Sequence, residues 1–170
     1  MSAVLMKERL PSEVGDADRF IRFQARSARS RDSLDSGRPF VTEREVLHVL
    51  VVDDYRDNAD TLSSLVKTWG HNVRHAYDGV TGLALAAAFR PDVLLLDMLM
   101  PHMTGFEVAT QVRRQERSKD CFIVAITGRT DEQHRSLCYE AGVDLCLIKP
   151  IVPLHLQTLL TLESQHVRSR

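Results

Sequence analysis

The sequence predicts an α/β protein built on an open, doubly wound sheet of five parallel strands. Short continuous apolar runs recur from Val46 onward. Stretches of helix length separate them, as crossover helices that bury both faces of a parallel sheet do. Five runs are too few for the eight-stranded barrel, so the sheet stays open.

The first strand is read from VLHVLVV at 46–52. Leu62, Leu65, Val66 and Trp69 follow at i, i+3, i+4 and i+7, one apolar stripe on a helix that Gly70 ends. NVRHAY at 72–77 is a weaker second strand, and Leu83, Ala84, Ala87 and Ala88 suit a second helix. DVLLL at 92–96 precedes a helix carrying Phe106, Ala109 and Val112. FIVAIT at 122–127 precedes one carrying Leu137 and Ala141, closed by Gly142. DLCLI at 144–148 is the last strand, and Leu156, Leu159 and Leu160 supply the last helix. Crossovers between parallel strands are right-handed, and an open sheet of this kind places its ligand site at the carboxyl ends of the strands.

Length and composition bound the rest. A chain of 170 residues fits one ordinary domain with a tail, since single cores usually take about 100–150 residues. With 44% apolar and 26% charged residues it reads as soluble and globular, and no apolar run reaches bilayer-spanning length. A net charge of -1 gives no general attraction for nucleic acid, anionic lipid or acidic substrates. Cys121, Cys138 and Cys146 lack C-x-x-C spacing and are odd in number, which suits reduced thiols filling a core in the cytosol.

The opening MSAVLMKERLPSE is too interrupted for the apolar region of a secretory signal, so the protein is expected in the cytoplasm. Composition shifts near residue 45, which divides an N-terminal extension (1–45), flexible or partly helical, from a domain at 46–163 and a C-terminal tail at 164–170. The extension holds nine of the 22 basic and eight of the 23 acidic residues, leaving 13 and 15 for the remainder, a mildly acidic domain. Within it Asp18 is a candidate cap for a short helix through Phe20, Ile21 and Phe23. Five arginines between Arg19 and Arg31 suit a docking arm or a transit peptide, but the acids before them argue against the latter.

The last residues of the apolar runs carry the chemistry. Asp53 and Asp54 follow the first, Asp97 the third, Thr127 ends the fourth and Lys149 follows the fifth. Taken singly each has an ordinary explanation: an Asp at a helix cap, a Thr-Gly turn, a Lys-Pro strand exit. Together, at four strand ends on one rim, they describe a site. Two carboxylates about 4 Å apart repel by roughly 4 kcal/mol at an effective dielectric of about 20, so a compensating cation is expected. Oxygen ligands without a Cys/His cage suit Mg²⁺ or Mn²⁺, which bind together with phosphate. Asp97 then reads as a nucleophile for an acyl phosphate, with Lys149 neutralising one phosphoryl oxygen and Thr127 hydrogen-bonding another. His71 and His75 straddle a strand start and read as structural or surface residues; His102 lies in the loop after Asp97 and is a minor candidate.

Four blocks, LVVDD at 50–54, LLLDMLMP at 94–101 with Gly105 after it, AITG at 125–128 and AGVDLCLIKP at 141–150, resemble the bacterial two-component receiver family, chemotaxis-regulator-like, in order and spacing across residues 46–163. The resemblance implies a flavodoxin-like sheet in the order 2-1-3-4-5. It implies that Asp97 takes phosphate from a sensor histidine kinase or a histidine phosphotransfer protein. Asp54, Asp97 and the backbone carbonyl of Leu99 would bind Mg²⁺ directly and Asp53 mainly through water, while Pro150 would follow a cis peptide. Cys146 stands at the switch position, three before the lysine, where the family usually has an aromatic residue or histidine, so signalling is expected to run through the loop after Thr127 and the 131–140 helix. Leu99 and Arg129 flank the site where the family tunes hydrolysis, and an apolar Leu99 predicts a long-lived phosphoryl state.

About twenty residues after Lys149 leave room for one helix, so the expectation is a stand-alone response regulator, a phosphoprotein of a phosphorelay that signals by changing its binding of a downstream protein. It would be no enzyme beyond its own phosphoryl transfer and dephosphorylation, with no membrane or nucleic-acid partner. Two alternatives stay open: an aspartyl-phosphate phosphohydrolase of haloacid dehalogenase type, which needs a D-x-D block after the first strand, and a degenerate receiver that binds partners without phosphate.

Overall fold

The structure, a computed structural model, describes residues 46–167. The expectations for residues 1–45, including the helix after Asp18 and the arginine arm, lie outside the described residues. Five strands, β1 (His48–Val52), β2 (Asn72–Ala76), β3 (Val93–Asp97), β4 (Phe122–Thr127) and β5 (Leu145–Ile148), alternate with five helices. These are α1 (Arg56–Thr68), α2 (Gly79–Phe89), α3 (Gly105–Arg114), α4 (Glu132–Glu140) and α5 (Pro153–Val167). All strand pairs are parallel, in the order β2-β1-β3-β4-β5.

Alternate residues along the strands feed two separate cores, as the pleat requires. Leu50, Val52, Leu94, Leu96, Ile123 and Ala125 pack with Ala86 of α2, Val108, Ala109 and Val112 of α3 and Cys138 of α4. Val49, Val51, Val93, Leu95, Val124 and Ile126 pack on the other side with Ala59, Leu62 and Val66 of α1 and Leu156, Leu159 and Leu160 of α5. Every residue of β3 is buried, which is why the middle of the sheet reads as an unbroken apolar run.

Several boundaries differ from the sequence reading for local reasons. β1 begins two residues late: Val46 is exposed, and the Leu47 N–H donates to His71 Nδ1 at 3.3 Å instead of to a strand. Asp92 stays outside β3 because its carboxylate accepts the His48 N–H at 2.8 Å, and Asp144 stays outside β5 while accepting the Ile123 N–H at 2.8 Å. On α2 the buried face is Gly79, Gly82 and Ala86, with Ala84 and Ala88 exposed. A helix apolar all round carries no stripe to read, and the closest contact decides. A β-carbon on Gly82 would meet both Val52 methyls at 2.8 Å.

On α4 the inner face is His134, Cys138 and Ala141, spaced i, i+4, i+7, and Leu137 points to solvent. α5 runs on to Val167 with Glu163 and Ser164 buried, so the boundary placed at 163 falls inside a helix. No helix among the described residues is long and apolar enough to cross a membrane.

Candidate functional site

Parallel strands in this order bring the carboxyl ends of β1, β3, β4 and β5 to one rim. The chain leaves β1 at Asp53, whose N–H still donates to Ala76 O at 3.2 Å. Asp53 Oδ1 then accepts the Tyr55 N–H at 2.9 Å, and Oδ2 faces Asn58 Nδ2 at 3.4 Å, so the carboxylate is pinned to the start of α1. Asp54 beside it turns out to solvent.

Asp97 is the last residue of β3 and is buried, with Oδ1 accepting the Leu99 N–H at 3.1 Å. The loop beyond it folds back tightly, and Gly105 N–H donates to Met98 O at 3.2 Å. A β-carbon on Gly105 would fall on the Asp97 carbonyl oxygen, so only glycine admits this approach. Lys149, just past β5, reaches across the rim. Its Nζ donates to Asp97 Oδ2 at 2.8 Å and to Asp53 Oδ2 at 3.3 Å, and the Lys149–Pro150 peptide is cis.

Asp53, Asp54 and Asp97 each offer a carboxylate oxygen within 4.8 Å of the others. The Lys149 ammonium thus pairs with two of the three carboxylates. Burial holds the Asp53 carboxyl above its ordinary range, against the Tyr55 hydrogen bond and the Lys149 charge, with Asp97 adding to the rise. Burial also opposes the charge on Lys149, but the hydrogen bond to Asp97 and the two carboxylate charges outweigh it and raise its pKa. A donor set made only of oxygens, still negative after its internal cation is counted, has the chemistry of a hard divalent cation site.

The sequence-selected Asp53, Asp54, Asp97 and Lys149 therefore meet. Thr127 reaches the same rim, buried at the end of β4, but its hydroxyl is engaged away from the carboxylates. It accepts the Arg129 N–H at 3.1 Å and lies 2.9 Å from His134 Nε2. Leu99 presents its N–H to Asp97 and its side chain to solvent. Cys146 lies in β5, half-buried, beside a groove lined also by Ile148, Pro150, Val152 and His155. His75 bonds to the Tyr77 hydroxyl at 2.9 Å, and His102 is exposed with a φ of 65°. Sequence reasoning missed His134, Asn58 and the amides of Tyr55 and Arg129. His134 was findable as the first member of the inner α4 stripe, had a histidine been admitted to it; backbone amides leave no mark in a sequence.

The family model described as the response regulator receiver domain matches residues 49–161. Among curated proteins, the DNA-binding dual master transcriptional regulator RpaA of Synechocystis is 33% identical over 102 residues, 60% of this chain and 42% of RpaA. Response regulator MprA of Mycobacterium avium is 38% identical over 104 residues, 61% of this chain and 45% of MprA. The matched segment thus spans less than half of these relatives. Chemotaxis protein CheY4 of Vibrio cholerae superposes with a TM-score of 0.65 at 34% identity, over 68% of this chain and 97% of CheY4. The receiver domain of the sensor histidine kinase PA1611 of Pseudomonas aeruginosa, solved with magnesium in its active site cleft, superposes with a TM-score of 0.65 at 26% identity, over 71% and 98% of the two chains.

Proposed function

The chain belongs to the response regulator receiver family, a family of signalling modules, and from that premise we propose that Asp97 is its phosphoacceptor. The donor would be the phosphohistidine of a sensor histidine kinase or a histidine phosphotransfer protein. The observation that carries this reading is the position of Asp97: buried, at the end of the central strand, with one oxygen on Lys149 Nζ and the other on the Leu99 N–H.

In the transfer an Asp97 carboxylate oxygen attacks phosphorus, the P–N bond to the donor imidazole breaks, and the imidazole keeps the bonding pair. Asp53, Asp54, Asp97 and the Leu99 carbonyl would hold Mg²⁺ or Mn²⁺, which supplies charge neutralisation for the phosphoryl oxygens. Lys149 is poised to exchange its carboxylate contacts for a phosphoryl oxygen, and Thr127 would donate its hydroxyl to another. The exposed aliphatic side chain of Leu99 offers no donor or acceptor to orient water, which supports a long-lived phosphoryl state; a lifetime of only seconds in the isolated protein with Mg²⁺ would count against it.

The protein would signal by changing its affinity for a downstream protein partner. Exposed Ile148 and Val152 on the groove beside Cys146 suit an apolar contact with a protein partner. Incubation with Mg²⁺ and acetyl phosphate tests the site: wild type should gain one phosphoryl mass and Asp97→Ala none. Equal gain in both removes Asp97 from the role, no gain in wild type favours a phosphate-independent binding module, and sustained turnover of a small phosphate ester favours a phosphohydrolase.

A further inference from the structure

Thr127 and His134 form a polar pair inside the fold: they are 1% and 3% exposed, with Oγ1 and Nε2 2.9 Å apart. His134 is held from two directions. Asp131 Oδ1 accepts the His134 backbone N–H at 2.9 Å in the first turn of α4, and the Phe106 ring meets the imidazole edge-on at 5.2 Å between centroids. A hydroxyl has one proton and two lone pairs. Arg129 N–H is a donor and takes one lone pair of Thr127. A buried hydroxyl proton without an acceptor is costly, and His134 Nε2 is the acceptor within reach. A phosphoryl group, whose oxygens only accept, needs that same proton.

We propose that His134 is a positioning residue for phosphoryl transfer: its Nε2 holds the Thr127 hydroxyl proton in the resting protein and loses it to the phosphoryl group on Asp97. Loss of the bond releases the imidazole from β4 and removes that tie between α4 and the sheet. One turn further along, a hydrogen bond with the Cys146 side chain holds the Cys138 thiol below its usual range. The inner face of α4 is therefore tied to β4 through His134, with Cys138 buried one turn further along the same face. This route from phosphate to surface uses no aromatic side chain at position 146. The inference rests on the phosphoacceptor reading of Asp97.

Nitrogen-15 NMR of the His134 ring in the full chain reads the resting bond. An unprotonated Nε2 whose resonance moves on addition of Mg²⁺ and acetyl phosphate is expected; a protonated Nε2 in the resting protein overturns the inference. The rate of phosphoryl gain supplies a second readout. His134→Phe keeps a ring but no acceptor, so transfer should quicken by about fivefold, the worth of one net hydrogen bond. His134→Gln, whose amide oxygen accepts, should return the rate toward wild type. In a Thr127→Val background His134→Phe should change nothing, because no hydroxyl remains to be released. An equal effect of His134→Phe in both backgrounds, or slower transfer in both His134 variants, overturns the positioning role while leaving Asp97 in place. Absence of any phosphoryl gain in wild type sinks the Asp97 reading and this inference together.

Discussion

Replacing Lys149 with methionine removes the ammonium that pairs with Asp53 and Asp97 while keeping most of its aliphatic stem. The ammonium lies 2.8 Å from Asp97 Oδ2 and 3.3 Å from Asp53 Oδ2. At an effective dielectric of about 20 these separations correspond to gross attractions of about 6 and 5 kcal/mol. Desolvation offsets most of that, and the lysine side chain is 32% exposed. The low end of the cost of unpairing a buried charge, about 3 kcal/mol, is therefore expected at neutral pH. Urea unfolding followed by the fluorescence of Trp69, the one tryptophan, packed at the edge of the α1–α5 core, measures it.

The pH dependence has a definite sign. Burial already raises the Asp53 pKa, and loss of the ammonium raises it further. A folded-state carboxyl that binds its proton more tightly than in the unfolded chain gains stability as pH falls through its raised pKa toward the ordinary value. The variant's deficit should therefore shrink under mild acid, and Mg²⁺ should narrow it at neutral pH. In wild type the raised Lys149 pKa contributes stability that is complete below the ordinary lysine value and lost as pH climbs through the raised one. Equal urea midpoints for variant and wild type at neutral pH, or a deficit unmoved by acid, would refute this account of the rim.

Gly105→Ala should cost about 2–4 kcal/mol in the same assay and weaken Mg²⁺ binding, because the new methyl falls on the backbone of Asp97 and Met98. Gly82→Ala should cost about 1–3 kcal/mol through its contact with Val52, with Val52→Ala recovering part of the loss in the double variant. The Cys121 thiol, buried and pushed up to about 12, should resist alkylation at mildly alkaline pH until the protein is unfolded; rapid labelling at Cys121 of the folded chain, read by peptide mass, would contradict its burial.

The sheet was legible because β3 and β4 are buried on both faces, which leaves no alternation and few alternatives for runs such as LLL and IVAI. The rim was legible for a related reason: a charged residue that follows a fully buried strand has only the strand end to occupy. The faces of α2 and α4 were harder. One is apolar on all sides, so its orientation is decided by how closely Gly82 approaches Val52. The other buries a histidine, which a search for apolar spacing passes over in favour of Leu137, 45% exposed. The partner of Thr127 was hidden with it, since a hydrogen bond between side chains seven positions apart depends on where a helix lands after its loop.

The strand order has a mechanical consequence. Asp97 stands on β3, paired on both sides and wholly buried, whereas Lys149 extends from β5, a four-residue edge strand paired only with β4 and without a fully buried residue. The rim is built like a vice, with one jaw set in the middle of the sheet and the other at its edge. Load applied at Asp97 would be taken up by displacement of β5 and the helices beside it, while the central strands hold the Asp97 carboxylate still.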